Sequence, residues 1–436
     1  MKQADEIIDK ASKFLITSMV NKLEPIVVSE AKGAVIKDVV GKEYIDCFAG
    51  ISVVNVGHGQ PEILEAAINQ AKILVHAGSY VYYVLPTVKL AEKIAEITPA
   101  PLQKSFFGTS GAEAVECAMK LARKYTKKPE FIALMGSFHG RTLGTMSITG
   151  LAGRRKYDMG PYLPGISFAP SPYCYRCPFR KEYPECDILC AKTLQNVIAY
   201  STSKGVAAFI AEPVMGEGGI IPPPPEYFQI IKETLDEHGI LFIVDEVQSG
   251  FGRTGKLFAI EHYGVEADIM TMAKGIANGF PIGACTTRVD IGNSFEPGDH
   301  LSTFGGNPVS AAAALASIRV ILRDKLPEHA SEKGIYFMKR LNEMKEECPL
   351  IGDVRGKGLM IGIELVRDRE KKTPAEEETR KVRDIVREKG LLIGSGGAKG
   401  CVLRIQPPLI IEKEQIGKAL SILEFAIRKV GSKLQS

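Results

Sequence analysis

The sequence predicts an α/β protein built on a mostly parallel sheet flanked by helices, with a smaller α+β part formed by its two ends. Three observations carry that expectation. Four short runs, 131–135, 206–210, 241–244 and 269–273, are apolar but for Thr271 and too short for helices, as strands buried on both faces are. Helical patterns lie between them, such as GAEAVECAMKLARK, whose Ala112, Val115, Cys117, Ala118 and Leu121 share one face. At 436 residues the chain has length for large cores and two domains. The expected division is an N-terminal arm with part of the small domain over 1–54, a large domain over 55–325, and a C-terminal small domain over 326–436.

Taken in order, residues 1–54 open as a helix and continue through IVVSEAKGAVIKDVVGKEYIDCFAG, which alternates and turns at Lys32-Gly33 and Gly41-Lys42 like a small antiparallel sheet. In FFGTSGAEAVECAMKLARK a Gly/Ser loop runs directly into a helix. Ser110 and Glu113 make an S-x-x-E capping box, which suffices as a structural explanation. The same helix start also aims free N–H groups of Ser110, Gly111 and Ala112 outward, a seat for phosphate. MGSFHGRTLGTMS follows the strand at 131–135, and either Phe138 or His139 offers a flat ring for stacking. The run at 206–210 leads to Glu212 and a Gly/Pro-rich loop, then to a helix over 226–238 that stops at Gly239.

The central run at 241–244 ends abruptly at Asp245 and Glu246, and the run at 269–273 ends at Lys274-Gly275. Ligands of open α/β sheets bind outside the carboxyl ends of the strands, so an acid and an amine are delivered to one crevice. A buried lysine there can lose its proton and form a Schiff base with an aldehyde. An acid beside it can keep a pyridine nitrogen protonated, which makes pyridoxal phosphate an electron sink. Farther on, GDVRGKGLMIGIELV reads as strand after a turn, and KTPAEEETRKVRDIVREKG as a solvated amphipathic helix ending at Gly390. The glycine cluster of GLLIGSGGAKGCVLRIQPPLII fails G-x-G-x-x-G spacing and precedes a strand pattern, which excludes a dinucleotide site.

Composition narrows the function classes. Charged residues are 24% and the net charge is +4, with no long Lys/Arg block, so neither nucleic acid nor a membrane surface is an expected partner. The opening MKQADEIIDK carries both signs of charge without an apolar core, so no secretory signal is expected and the cytoplasm is the expected compartment. Nine cysteines are present, and Cys174, Cys177, Cys186 and Cys190 cluster with C-x2-C-x8-C-x3-C spacing within an insert over 173–191. That spacing suits a metal knuckle, local disulfides or a loop of free thiols, and reads as a structural staple rather than chemistry. No metal is assigned to the site.

VDEVQSGFGRTG followed by MTMAKGIANGFPIGA resembles the signature of class III aminotransferases, fold-type I pyridoxal-phosphate enzymes that include ω-amino-acid and alanine–glyoxylate transaminases. The resemblance covers essentially the whole chain. It implies a seven-stranded large sheet, pyridoxal 5′-phosphate held by Lys274 as a Schiff base, and Asp245 on the ring nitrogen. It implies further cofactor contacts from the phosphate loop, Phe138 over one ring face, His139, Glu217, Val247, and Gln248 at the ring hydroxyl. Thr303 and Phe304, in LSTFGGNP, are implied to reach the cofactor of a second subunit, hence a homodimer or a dimer of dimers with shared sites. Ile51, Tyr80 and Arg141 are implied substrate residues, as are Arg404 of VLRIQPP and Glu212 as the arginine's partner. The implied reaction moves an amino group from an ω-amino or α-amino acid, such as 4-aminobutyrate, ornithine or alanine, to 2-oxoglutarate, pyruvate or glyoxylate. Some relatives are amino-acid racemases, the alternative expectation.

Overall fold

The protein is described here by a computed structural model covering residues 2–16, 24–151, 153 and 156–432. Part of the expected N-terminal arm, 17–23, therefore lies outside the described residues.

Each apolar run forms a strand of a seven-stranded sheet. In chain order the strands are Lys104–Gly108 (β1), Glu130–Leu134 (β2), Ile166–Ala169 (β3), Val206–Ala211 (β4), Leu241–Asp245 (β5), Ile269–Met272 (β6) and Gly283–Thr287 (β7). Their spatial order is β1-β7-β6-β5-β4-β2-β3. Only β7 runs antiparallel, to β1 on one side and β6 on the other. The continuous apolarity has a direct cause. Leu241 and Ile243 of β5 join the core under the helix Gly111–Thr126, while Phe242 and Val244 join the core on the other face. All five residues of β5 are buried, so neither face could be polar.

This topology brings the carboxyl ends of β1, β2, β4, β5 and β6 to one edge, because β1 and β6 are both antiparallel to β7. Ser110, Phe138, Glu212, Asp245 and Lys274 follow those five ends. Helix Tyr227–His238 ends where expected, with Gly239 in the left-handed region at φ 57°.

The two chain ends share a second sheet of eight strands. Val28–Lys32, Val35–Asp38 and Glu43–Cys47 form an antiparallel meander, and Leu391–Gly396 pairs parallel with Glu43–Cys47. Beyond it lie Val402–Ile405, Met360–Asp368 and Ile351–Lys357, with the short Thr373–Pro374 on the flank. Helices Leu326–Glu347 and Glu376–Glu388 pack on this sheet, and Lys413–Gly431 packs against both helices. Among the described residues no helix is long and apolar enough to cross a membrane.

The cysteine insert is fastened to this second sheet by polar contacts. The Tyr173 hydroxyl and Arg176 both donate to the fully buried Glu364, and Lys372 Nζ donates to Tyr175 O at 2.8 Å. Cys174, Cys177, Cys186 and Cys190 line one small pocket as free thiols. The contacts that hold the insert come from Tyr173, Tyr175 and Arg176, so its stapling runs through phenol, carboxylate and guanidinium.

Candidate active site

At the carboxyl edge of the large sheet lies a cavity of about 370 Å³. Its walls include Ser110, Gly111, Ala112, Phe138, His139, Arg141, Glu212, Asp245, Val247, Gln248 and Lys274, eleven residues singled out from sequence. Thr109, Val53, Gly279, Phe280, Pro281 and Ile282 also line it and were not singled out.

Lys274 sits just past β6 with a left-handed φ of 50°, a conformation that costs a non-glycine residue of order 1–3 kcal/mol and is found disproportionately at functional sites. Burial lowers its ammonium pKa, while Glu217, Asp245 and Glu212 oppose that shift and Arg404 adds to it. These four charged groups therefore all act on the Lys274 amine.

Asp245, 4% exposed, is held by three donors. His139 Nδ1 bonds its Oδ2 at 2.7 Å, and Val247 N and Thr271 Oγ1 each donate to Oδ1 at 3.1 Å. One carboxylate position is thereby selected. His139 Nε2 is buried and has no partner among the described residues.

The helix start expected to seat a phosphate departs from the reciprocal capping box. Ser110 Oγ accepts from Glu113 N at 3.2 Å, but the Glu113 carboxylate turns to Thr109, accepting from its N–H and, at 2.8 Å, its hydroxyl. The first-turn N–H groups of a helix have no intrahelical acceptor, and those of Gly111 and Ala112 stand at the cavity wall. Gly111 is required there, since a Cβ would meet Val247 at 2.8 Å.

The two glutamates exchange their expected places. Glu212, expected to pair with Arg404, accepts from Phe138 N at 3.0 Å and Gly216 N at 2.8 Å, so both of its oxygens are committed to backbone. Burial pushes its carboxyl up to about 7, against the pull of His139 and these donors. Glu217, expected at the cofactor, instead pairs with Arg404 at 2.5 Å from its Nη1. The reason is reach. Glu212 leaves the strand end into a turn that folds back over its own carboxylate, while Glu217, five residues on, emerges facing the second sheet.

Arg404 is only 3% exposed. Its Nε donates to Ser395 O at 3.1 Å, and its guanidinium lies 5.4 Å from the Phe48 ring. Arg141, by contrast, is exposed at the cavity rim, 5.5 Å from the Phe138 ring.

Six expected residues lie off the cavity wall: Glu217 and Arg404, which pair behind it, and four others. Tyr80 clamps the end of β1, its hydroxyl donating to Phe107 O at 2.8 Å and accepting from Phe107 N at 2.5 Å, with its ring stacked on Phe106. Ile51 is 43% exposed in a left-handed turn, with φ of 50°, 61°, 71° and 59° from Ala49 to Ser52. Thr303 is exposed, and Phe304 is 62% exposed with His76 beside its ring.

The chain is similar to known proteins over nearly its whole length. Residues 17–427 match the family Aminotransferase class-III. A leucine/methionine racemase of Thermococcus litoralis is 45% identical, covering 98% of this chain and 96% of that protein. An acetylornithine aminotransferase of Methanothermobacter thermautotrophicus is 43% identical, covering 97% and 99%. A crystallised Bacillus anthracis aminotransferase is 36% identical with a TM-score of 0.92, covering 98% of this chain and 99% of that one.

Proposed function

The chain belongs to the class III aminotransferases, pyridoxal-phosphate enzymes, and from that premise we propose that it carries an amino group from an amino-acid donor to 2-oxoglutarate or a similar 2-oxo acid. The proposed donors are ω-amino or α-amino acids of the 4-aminobutyrate, ornithine or alanine type. The acetylornithine aminotransferase relative adds N-acetylornithine to that set. The observation that carries the reading is the pair of buried Arg404 with half-buried Glu217, within electrostatic reach of Lys274.

When bound, pyridoxal phosphate supplies an electron sink. The N–H groups of Gly111 and Ala112, with Ser110, hold its phosphate, and Asp245, oriented by His139 and Thr271, holds a proton at its ring nitrogen. The lowered pKa of the Lys274 amine suits it to take a proton from the substrate carbon and return it elsewhere, as general base and then acid. Arg404 offers two parallel N–H bonds to an α-carboxylate. When the donor has none, Glu217 neutralises the guanidinium, since an unpaired buried charge is costly. Arg141 at the rim is positioned to take a second carboxylate.

Thr303 and Phe304 act, on this reading, in the site of a second copy. Their exposure outside their own cavity supports it. Mixing a Lys274→Ala chain with a Thr303→Ala chain then restores part of the activity both lack, through mixed dimers that carry one intact site.

Racemisation is the second reading, favoured by the 45% identity to the leucine/methionine racemase. It needs one substrate, which leaves a carboxylate-switching pair without a purpose. The discriminating experiment incubates cofactor-loaded protein with N-acetylornithine, 4-aminobutyrate, L-alanine or L-leucine, each with and without 2-oxoglutarate, followed by chiral chromatography. Transamination yields glutamate only when the oxo acid is present. A D-enantiomer accumulating without any oxo acid overturns the aminotransferase reading.

A further inference from the structure

Gln248 lines the cavity, yet its amide is not free to present either end. Its Oε1 accepts from Gln406 Nε2 at 3.0 Å. The same oxygen is packed against Gly216, where an added Cβ would lie 2.1 Å from it. Gln248 Nε2 has no acceptor among the described residues, so two N–H bonds remain for the cavity.

Gln406 is itself held rigidly. It is fully buried, and its backbone N–H donates to Cys47 O at 2.8 Å. The next residue, Pro407, gives its carbonyl to the buried Arg253. Residues two apart in extended chain face the same way, so Gln406 shares a face with Arg404. Gln406 Oε1 has no partner among the described residues, an orphaned acceptor in a buried site. Burying an unmade hydrogen bond costs about 1–3 kcal/mol. A glutamine that served packing alone would be matched by a methionine without that cost.

We propose that Gln406 is a positioning residue: its donated hydrogen bond fixes the Gln248 amide with its NH2 toward the cofactor's ring oxygen. The second sheet then supplies one strand with two tasks, Arg404 toward the substrate carboxylate and Gln406 toward the cofactor's electronics. The inference rests on the proposed contact of Gln248 with bound pyridoxal phosphate. A donor on the ring oxygen withdraws electron density from the group conjugated with it, and so lowers that group's proton affinity. Losing or reversing the donor raises it.

The test follows the pH midpoint of the visible absorption of cofactor-loaded protein, which reads the cofactor rather than turnover. Gln248→Leu is expected to raise the midpoint by about one pH unit, a tenfold change in proton affinity. Gln406→Glu, whose carboxylate can only accept, turns the Gln248 amide around and raises the midpoint comparably. Gln406→Met, which keeps the volume without a donor, raises it less and guards against misfolding of the charged variant. In the Gln248→Leu background Gln406→Glu should add nothing, because its effect passes through the amide. A full additional shift there means plain charge repulsion and overturns the proposal. So does an unmoved midpoint in both Gln406 variants while Gln248→Leu shifts, which leaves the Gln248 contact itself standing. An unmoved midpoint in Gln248→Leu removes that contact and the proposal with it.

Discussion

The two sheets act on one cavity by different geometries: the large sheet lines it, and the second sheet acts from behind, through Arg404 on Lys274 and Gln406 on Gln248. The large sheet delivers its groups at strand ends: Asp245 closes β5, and Glu212 and Lys274 stand just beyond β4 and β6. The second sheet delivers from a strand's flank, with Arg404 inside Val402–Ile405 and Gln406 just after it. A strand end is fixed by where apolarity stops, whereas a flank residue reaches a site only through pairing with distant chain. Here Val402–Ile405 pairs with Leu391–Gly396 and Met360–Asp368, and Gln406 N–H bonds Cys47 O, more than 300 residues away in sequence. On the proposed reading the large sheet frames the cofactor site, and the second sheet adjusts what enters it.

The largest effect that could break this division is Lys274→Ala. It should abolish the absorbance of covalently held cofactor and lower turnover by about a thousandfold or more, since positioned proton transfer alone contributes 10²–10⁴. Persisting turnover would place the chemistry elsewhere. Next is Arg404→Lys on the second sheet. It keeps the charge but loses the two-pronged bond, so kcat/KM for glutamate should fall by about 10–100-fold, matching the ~1.5–3 kcal/mol of a charged hydrogen bond. Cofactor absorbance should be unchanged, and a loss of cofactor binding would erase the distinction between the two sheets.

Glu217→Gln sharpens the comparison further. Leaving Arg404 unbalanced, it should slow donors without an α-carboxylate by about tenfold more than it slows glutamate. Equal losses in the two half-reactions would count against the switching pair. Glu212→Gln is expected to show no such selectivity, because both Glu212 oxygens are spent on Phe138 and Gly216.

These assignments show what was legible in the chain. Asp245 and Lys274 could be read locally, because each terminates an apolar run of a doubly buried strand. The helix start at Ser110, proposed as the phosphate seat, was legible as such. Glu212 and Glu217 were not separable, since the loop between them, with Gly216 accommodating Gln248, decides which carboxylate faces the second sheet. Tyr80 read as a pocket aromatic and proves to be a clamp on β1, because a phenol can bond both polar groups of Phe107. Gln406 had no signal: an amide in VLRIQPP gains meaning only beside Gln248.

The smallest effect concerns stability. Glu246, fully buried next to Asp245, has its carboxyl pushed up to about 7 by burial, against donors from Ser249 and Ile260. Between pH 4.5 and 7 the folded state therefore binds more protons than the unfolded chain, and its stability falls as pH rises. Glu246→Gln should flatten that slope in urea unfolding of the cofactor-free protein. An unchanged slope would mean that the carboxylate is solvated as well in the fold as out of it.

The central claim is that one pocket completes two half-reactions, and a single turnover tests it most directly. Cofactor-loaded protein is mixed with excess amino donor and no oxo acid, and the oxo product is counted. The account predicts one oxo acid released per active site, then no more until 2-oxoglutarate is added and an equal amount of glutamate appears. Release far below one per site, with steady inversion of the donor's α-carbon, would contradict it.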